Sequence, residues 1–409
     1  MKKLPALLMA MAMVFVLCAC GSKTQSAESV TGYDPPAEGV LSPASADNDE
    51  RAIRVGLIAL HDENASYDTN FIDAFKKACE ACGVEGVIRT NVPETEEAYE
   101  VAAELAQDGC SIVIADSYAH QPFILEAAQE FPEVQFTSCT GDMARGAGID
   151  NYHNAFADIY QGRFLTGVAA GMKLNEMIEN GEISPEQAKL GYVGARIGAE
   201  VKSGYTAFFL GARYICPSAT MEVMFTGSWY DESLEMEYAK ALIDDGCVLI
   251  SQHADSMGAP MACQEAGVPN VAYNVSTMAE CPDTYLISSR INWTPYFTYI
   301  IHAIQEGEDY DTDFCGKLSQ RSVELLELNE AVAAKGTAEK LEEIRFALME
   351  GSIRVFDCSA WTVDGRTLDS YDRVAFYEGN ECIWNGYFHE SETRSAPYFD
   401  LDIDGITIR

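Results

Sequence analysis

Basic residues are scarce in this 409-residue chain: 27 lysines and arginines stand against 64 aspartates and glutamates, for a net charge of −37. So acidic a surface repels phosphate backbones and anionic lipid, which argues against nucleic acid and weakly against an anionic ligand. A neutral or cationic small molecule suits it better, although solubility alone would account for the acidity. Long apolar runs are absent after the first twenty residues, so no later segment can span a bilayer. No GxSxG elbow, Walker loop, zinc spacing or cofactor motif occurs. The six histidines include no HxH or HExxH pair, and no metal ligand set is expected.

What the chain does have begins at its start. Lys2 and Lys3 precede an apolar run from Leu7 to Leu17, then Cys18-Ala19-Cys20-Gly21. The run is too short for a stable span and reads as an export leader. Its end resembles a bacterial lipobox, with Cys20 as the lipidated residue after a leader of residues 1–19. An ordinary secretory leader with a chance cysteine is the alternative. Residues 20–50, punctuated by Ser22, Ser26, Pro35, Pro36, Gly39 and Pro43, read as a flexible tether. The expected location is the extracytoplasmic face of a bacterial membrane.

Thirteen cysteines suggest a disulfide framework, but their placement does not. Without Cys18 and Cys20 an odd number is left, and Cys110, Cys247 and Cys263 sit in apolar or helical contexts, where a free thiol packs as a small hydrophobe. Cys79 and Cys82 form a CxxC inside a helical pattern, with no second pair at zinc spacing.

From Ile53 onward strand and helix patterns alternate. Ile53–Leu60, 86–90, 111–115 and 134–137 read as strands, separated by helices over 70–82, 95–107 and 122–130. A long helix over about 155–179 opens a second series, with strands at 189–193, 222–225, 248–251 and 270–273. This is an α/β chain of two doubly wound lobes with a cleft between them. The expected boundaries are 51–152 for the first lobe, with a return segment over about 284–320, and 153–283 for the second. Residues 321–409 form a C-terminal extension: two helices over 323–348, then short strands and turns.

Ligands bind beyond the carboxyl ends of such strands. Those ends carry Ser66-Tyr67-Asp68, Asp116-Ser117-Tyr118, Trp229-Tyr230-Asp231, His253-Ala254-Asp255, Asn274 and, near the next crossover, Asn292-Trp293. Most pair an aromatic ring with amide, hydroxyl or carboxylate groups, which suits a planar hydrogen-bonding heterocycle. Core packing is the competing account of any one ring. His61, His120 and His253 lie on different loops and make a weak case for catalysis.

At these residues the chain resembles the basic membrane protein (BMP, PnrA-like) family of ABC-transporter substrate-binding lipoproteins. The matches run over about 53–310 and include Phe131-Pro132-Glu133-Val134, Tyr160-Gln161-Gly162-Arg163-Phe164-Leu165, Gly227-Ser228-Trp229-Tyr230-Asp231, Gln252-His253-Ala254-Asp255-Ser256 and Asn292-Trp293. The resemblance implies a type I periplasmic-binding fold with a hinge, no catalysis and no cofactor. It also implies a purine nucleobase or nucleoside as ligand, an ABC permease as partner, and membrane attachment through Cys20. The ligand-binding residues it suggests are Tyr67, Asp68, Tyr118, Trp229, His253, Asp255, Asn274 and Trp293. Asn274 stands where the family's ribose-binding Asp is expected. No lysine aligns near 288–291, where Arg290 is the nearest cation.

Two other readings remain open from the sequence. The same fold could receive a sugar or, less readily given the scarcity of basic residues at these loops, an amino acid. An extracellular nucleoside hydrolase would need Asp62, Asp68 and Asp255 to converge.

Overall fold

The near-continuous apolar runs do become buried parallel strands in a computed structural model, which describes residues 53–374 and 379–409. The leader, Cys20 and the tether lie outside the described residues. The first half of the chain runs β1 (Arg54–Ile58), α1 (Ser66–Cys82), β2 (Glu85–Arg89), α2 (Glu97–Gln107), β3 (Ile112–Ala115), α3 (Gln121–Glu130), β4 (Gln135–Cys139), α4 (Ala144–Ala147), β5 (Tyr152–Ala157) and α5 (Ile159–Glu179). It continues with β6 (Lys189–Gly194), α6 (Ala199–Ile215), β7 (Thr220–Phe225), α7 (Glu232–Asp244), β8 (Leu249–Gln252), α8 (Gly258–Ala266), β9 (Asn270–Tyr273) and β10 (Tyr285–Ile291). Last come α9 (Thr294–Glu306), β11 (Asp313–Gly316), β12 (Val323–Leu325), α10 (Thr337–Glu350), β13 (Ile383–Trp384), β14 (Tyr387–Phe388) and β15 (Ile406–Ile408).

Two sheets carry the lobes. The first has six strands in the order β11-β5-β4-β3-β1-β2, and the second has seven in the order β12-β10-β9-β8-β6-β7-β15. All pairs within them are parallel except β10 with β12. Helices cover both faces, which is why strands such as β3 (IVIA) are buried throughout. In the second lobe α5 and α6 touch backbone to backbone. A Cβ on Gly167 would stand 2.0 Å from the Phe208 carbonyl oxygen, and one on Gly211 2.0 Å from that of Phe164. Only glycine permits that approach.

The chain passes between the sheets at 157–159, 292–294 and 317–322. These crossings are tied side by side. The Asp158 amide donates to Gly316 O at 2.9 Å, and the Asn292 amide to Ser322 O at 2.9 Å. Lys317 Nζ lies 3.2 Å from an Asp158 carboxylate oxygen.

Three expectations about elements change. The chain is extended to Ala157 before α5 begins, because Tyr152–Ala157 is buried between β4 and β11. β10 went unread in the sequence. It pairs with β9 in the second sheet, so the return to the first lobe starts with α9, which packs on α1. Residues 323–325 are not helical: β12 runs antiparallel to β10, with Glu324 opposite Arg290 and their side chains 3.0 Å apart. Only 337–350 forms the helix expected there. Beyond it the chain makes turns, the β13–β14 hairpin, and β15 on the outer edge of the second sheet.

Eleven cysteines are described; none is paired and nine are buried. Among the described residues no helix is long and apolar enough to cross a membrane. No group of His, Cys, Asp and Glu among them is arranged to hold a metal ion.

Candidate ligand-binding site

The carboxyl ends of both sheets face one cleft. Between them lies a cavity of about 390 Å³ of space between atoms, including its mouth. The first lobe lines it with Leu60, His61, Tyr67, Asp68, Ser117, Tyr118 and Thr140; the second with Glu200, Trp229, His253, Asp255 and Tyr273.

Asp68 stands in the first turn of α1, where a helix N-terminus favours negative charge. It is buried; its Oδ1 accepts the His61 amide at 2.7 Å, and its Oδ2 lies 3.3 Å from His61 Nδ1. That hydrogen bond raises the His61 pKa above the ordinary imidazole value. Behind Asp68, Asp116 is fully buried and accepts the Leu60 amide at 3.1 Å. Burial, then the adjacent charge of Asp68, pushes the Asp116 carboxyl far above its usual range. Tyr67 donates its hydroxyl to the Asp116 carbonyl at 2.6 Å, which fixes its ring at the cavity wall. Tyr118 donates to Asp142 Oδ2 at 3.2 Å.

On the other side Asp255 is buried. Burial, followed by the charges of Asp68, Glu235 and Glu200, drives its pKa well up. His253 Nε2 lies 3.6 Å from Glu200 Oε1, yet burial lowers its pKa and favours neutral imidazole. Tyr273 is held from behind by the Arg163 guanidinium, 3.2 Å from the ring centroid, while Arg163 Nη1 donates to Gln252 O at 2.9 Å. Trp229 is half-buried, with Arg196 at 5.9 Å from its ring. The lobes also meet at the mouth. The Ser66 amide donates to Asp255 O at 3.1 Å, and Arg196 pairs with Glu94 at 3.5 Å.

Six of the eight residues suggested by the sequence line this cavity: Tyr67, Asp68, Tyr118, Trp229, His253 and Asp255. Asn274 sits behind it, its Nδ2 3.3 Å from Asp255 Oδ1. Trp293 does not reach it. It is 1% exposed and stacked on Phe71, with ring centroids 4.4 Å apart, because its place at the start of α9 turns it onto α1. Nor does Asp62 join Asp68 and Asp255; it accepts from Asn64 on the rim. His120 is buried away from the cavity, its Nε2 2.9 Å from Val92 O. Sequence reasoning missed Thr140, Glu200 and Tyr273. The first two follow β4 and β6, so the strand-end rule applied to every strand finds them; their loops carry no aromatic ring to draw attention.

The arrangement can sandwich a flat ligand between rings and meet its edge with carboxyl groups from both lobes. The family described as ABC transporter substrate-binding protein, PnrA-like, matches residues 59–353. A purine-binding protein of Brucella abortus is 30% identical over 57% of this chain and 63% of its own length. A protein assigned as an ABC transporter glucose-binding protein of Haloferax volcanii is 31% identical over 53% of this chain and 52% of its own. The chain thus spans less than two thirds of either relative. A solved solute-binding protein from Conexibacter woesei superposes with a TM-score of 0.61 at 22% identity, over 74% of this chain and 98% of that one. It shares the fold. With 59–353 matched, this chain belongs to the PnrA-like family of ABC transporter substrate-binding proteins.

Proposed function

We propose that this protein captures a purine nucleobase, or a nucleoside, between its two lobes and presents it to the permease of an ABC importer. It works outside the cytoplasm, held to the membrane by lipid on Cys20. The observation that carries the reading is the joint lining of one cavity by Tyr67, Tyr118 and Trp229 with Asp68 and Asp255. Rings stack on a base whatever its substituents. A buried carboxyl with a raised pKa can donate as well as accept, which matches the adjacent donors and acceptors of a purine edge. The purine-binding relative supports the same ligand class. Where the family resemblance leads one to expect a ribose-binding Asp this chain has Asn274, which reaches the cavity only through Asp255, and this supports the free base over the nucleoside.

A sugar is the second reading, supported by the Haloferax relative. Calorimetry with adenine, guanine, adenosine, guanosine and glucose separates the two. Binding of glucose with no heat from any purine would overturn the proposal.

A further inference from the structure

Residues 354–409 lie beyond the matched family region, yet they touch both lobes. On the second lobe they are built in. Ile406–Ile408 pair with Met221–Val223, Lys202 Nζ lies 2.6 Å from Asp402, and Arg213 Nη1 donates to Asp404 O at 3.4 Å. On the first lobe polar contacts hold them. Arg394 Nη1 lies 3.7 Å from Asp142 Oδ2, and the Ser395 amide is 3.2 Å from both carboxylate oxygens of Asp313. Asp142 follows β4 and Asp313 begins β11, both in the first sheet. Arg394 and Asp142 are 12% and 16% exposed, so water screens their attraction less than at an open surface. The same Asp142 oxygen accepts the hydroxyl of Tyr118, which lines the cavity.

We propose that residues 389–404 are a strap across the two lobes, fastened on the second and held on the first by Arg394, a positioning residue that acts on Tyr118 through Asp142. Lobes joined at three crossings can rotate about them. Rotation carries Asp142 and Asp313 away from a segment anchored on the second lobe, so the Arg394 and Ser395 contacts oppose opening. Because one carboxylate serves both Arg394 and Tyr118, what loads the cavity tyrosine also loads the strap, and the coupling is reciprocal. The inference rests on the two-lobed fold and not on the identity of the ligand.

Amide hydrogen exchange on the full chain, dialysed free of small molecules, tests it. Ser66 opens α1, so its N–H has no partner in its own helix; it donates to Asp255 O across the cleft and reports on closure. Thr69 N–H, bonded to Ala65 O within the first lobe, is the control. Wild-type Ser66 should be protected, and Arg394→Gln and Asp142→Asn should each speed its exchange by about fivefold, with Thr69 unchanged. The double variant should add little to either single one, and Arg394→Lys should recover part of the protection. Asp142→Asn cuts the contact from the other side, so the test survives if one variant fails to fold. An unprotected Ser66 in the wild type overturns the proposal. So does equal Ser66 exchange in wild type and variants, or an equal rise at Thr69.

Discussion

Ser66 and Asp255 join the lobes through a single backbone hydrogen bond, 3.1 Å from the Ser66 amide to the Asp255 carbonyl. The Asp255 side chain lines the cavity while its carbonyl accepts the hydrogen bond from the other lobe. Shutting the cleft thus brings the Asp255 carboxyl opposite the first-lobe residues that share the cavity. A ligand held between Asp255 and Asp68 touches both lobes, so binding it favours the closed arrangement. Affinity and closure should change together when the residues below are altered.

Trp229→Ala should weaken adenine binding by about 1–3 kcal/mol, the range for base–aromatic stacking. Asp255→Ala should cost at least about 1.5–3 kcal/mol if its carboxyl meets the base, since the ligand's own polar groups are then also left unpaired. Isothermal calorimetry reads both. Unchanged affinity in Asp255→Ala would remove the edge contact from the account.

Asn274→Asp should move preference from adenine toward adenosine. Asn274 has φ 64, a left-handed conformation that Asp also tolerates, so the backbone should hold. The new carboxylate would stand beside Asp255, where Asn274 Nδ2 now lies 3.3 Å from Oδ1. The ratio of the two dissociation constants, in wild type and variant, is the measurement. A wild type that already prefers adenosine strongly would contradict the reading of Asn274.

The strap carries a pH-dependent group. Glu390 is buried, and burial pushes its carboxyl up to about 7 although the Tyr398 amide donates to it. Its folded pKa lies above the unfolded value near 4.5, so its contribution to stability is complete below about pH 4.5 and is lost as pH rises through about 7. Glu390→Gln should therefore gain stability over the wild type as pH rises from 5 to 8, by up to about 3 kcal/mol. Chemical denaturation of both proteins across that range checks it. A difference independent of pH would show that Glu390 keeps one protonation state throughout.

Cys20→Ser should abolish lipid attachment. Mass spectrometry of the mature protein and its partition between membrane and soluble fractions read the effect. Membrane retention of an unlipidated variant would point to another anchor.

The sheets were legible where apolar runs were unbroken. Strands such as β1 and β3 are buried on both faces and advertise it. β10 (YLISSRI) was not, because Ser288 and Ser289 interrupt the run although both are fully buried. β12 has three residues, too few to show any period, and Leu and Glu around it favour helix on composition. At the cavity, strand ends told which loops to inspect but not which way a ring would turn. Trp229 and Trp293 look alike in sequence; one faces the cleft and the other stacks on Phe71. Asn274 was visible as a residue of the right loop, but its place behind Asp255 depends on a left-handed backbone that sequence does not announce.

Neither sheet is drawn from one continuous stretch of chain. β11 completes the first sheet beside β5 only after the strands of the second have been laid down, and β12 and β15 return to the second after that. Closing such distant pairs is slow relative to forming local ones, since chain entropy must be given up before the contacts form. Each sheet is therefore complete only once the chain has returned from the other lobe. An isolated segment ending at β5 would keep that strand as an open edge, ready to pair with another copy of itself. A chain cut short before β11 is thus the form in which self-association should show first.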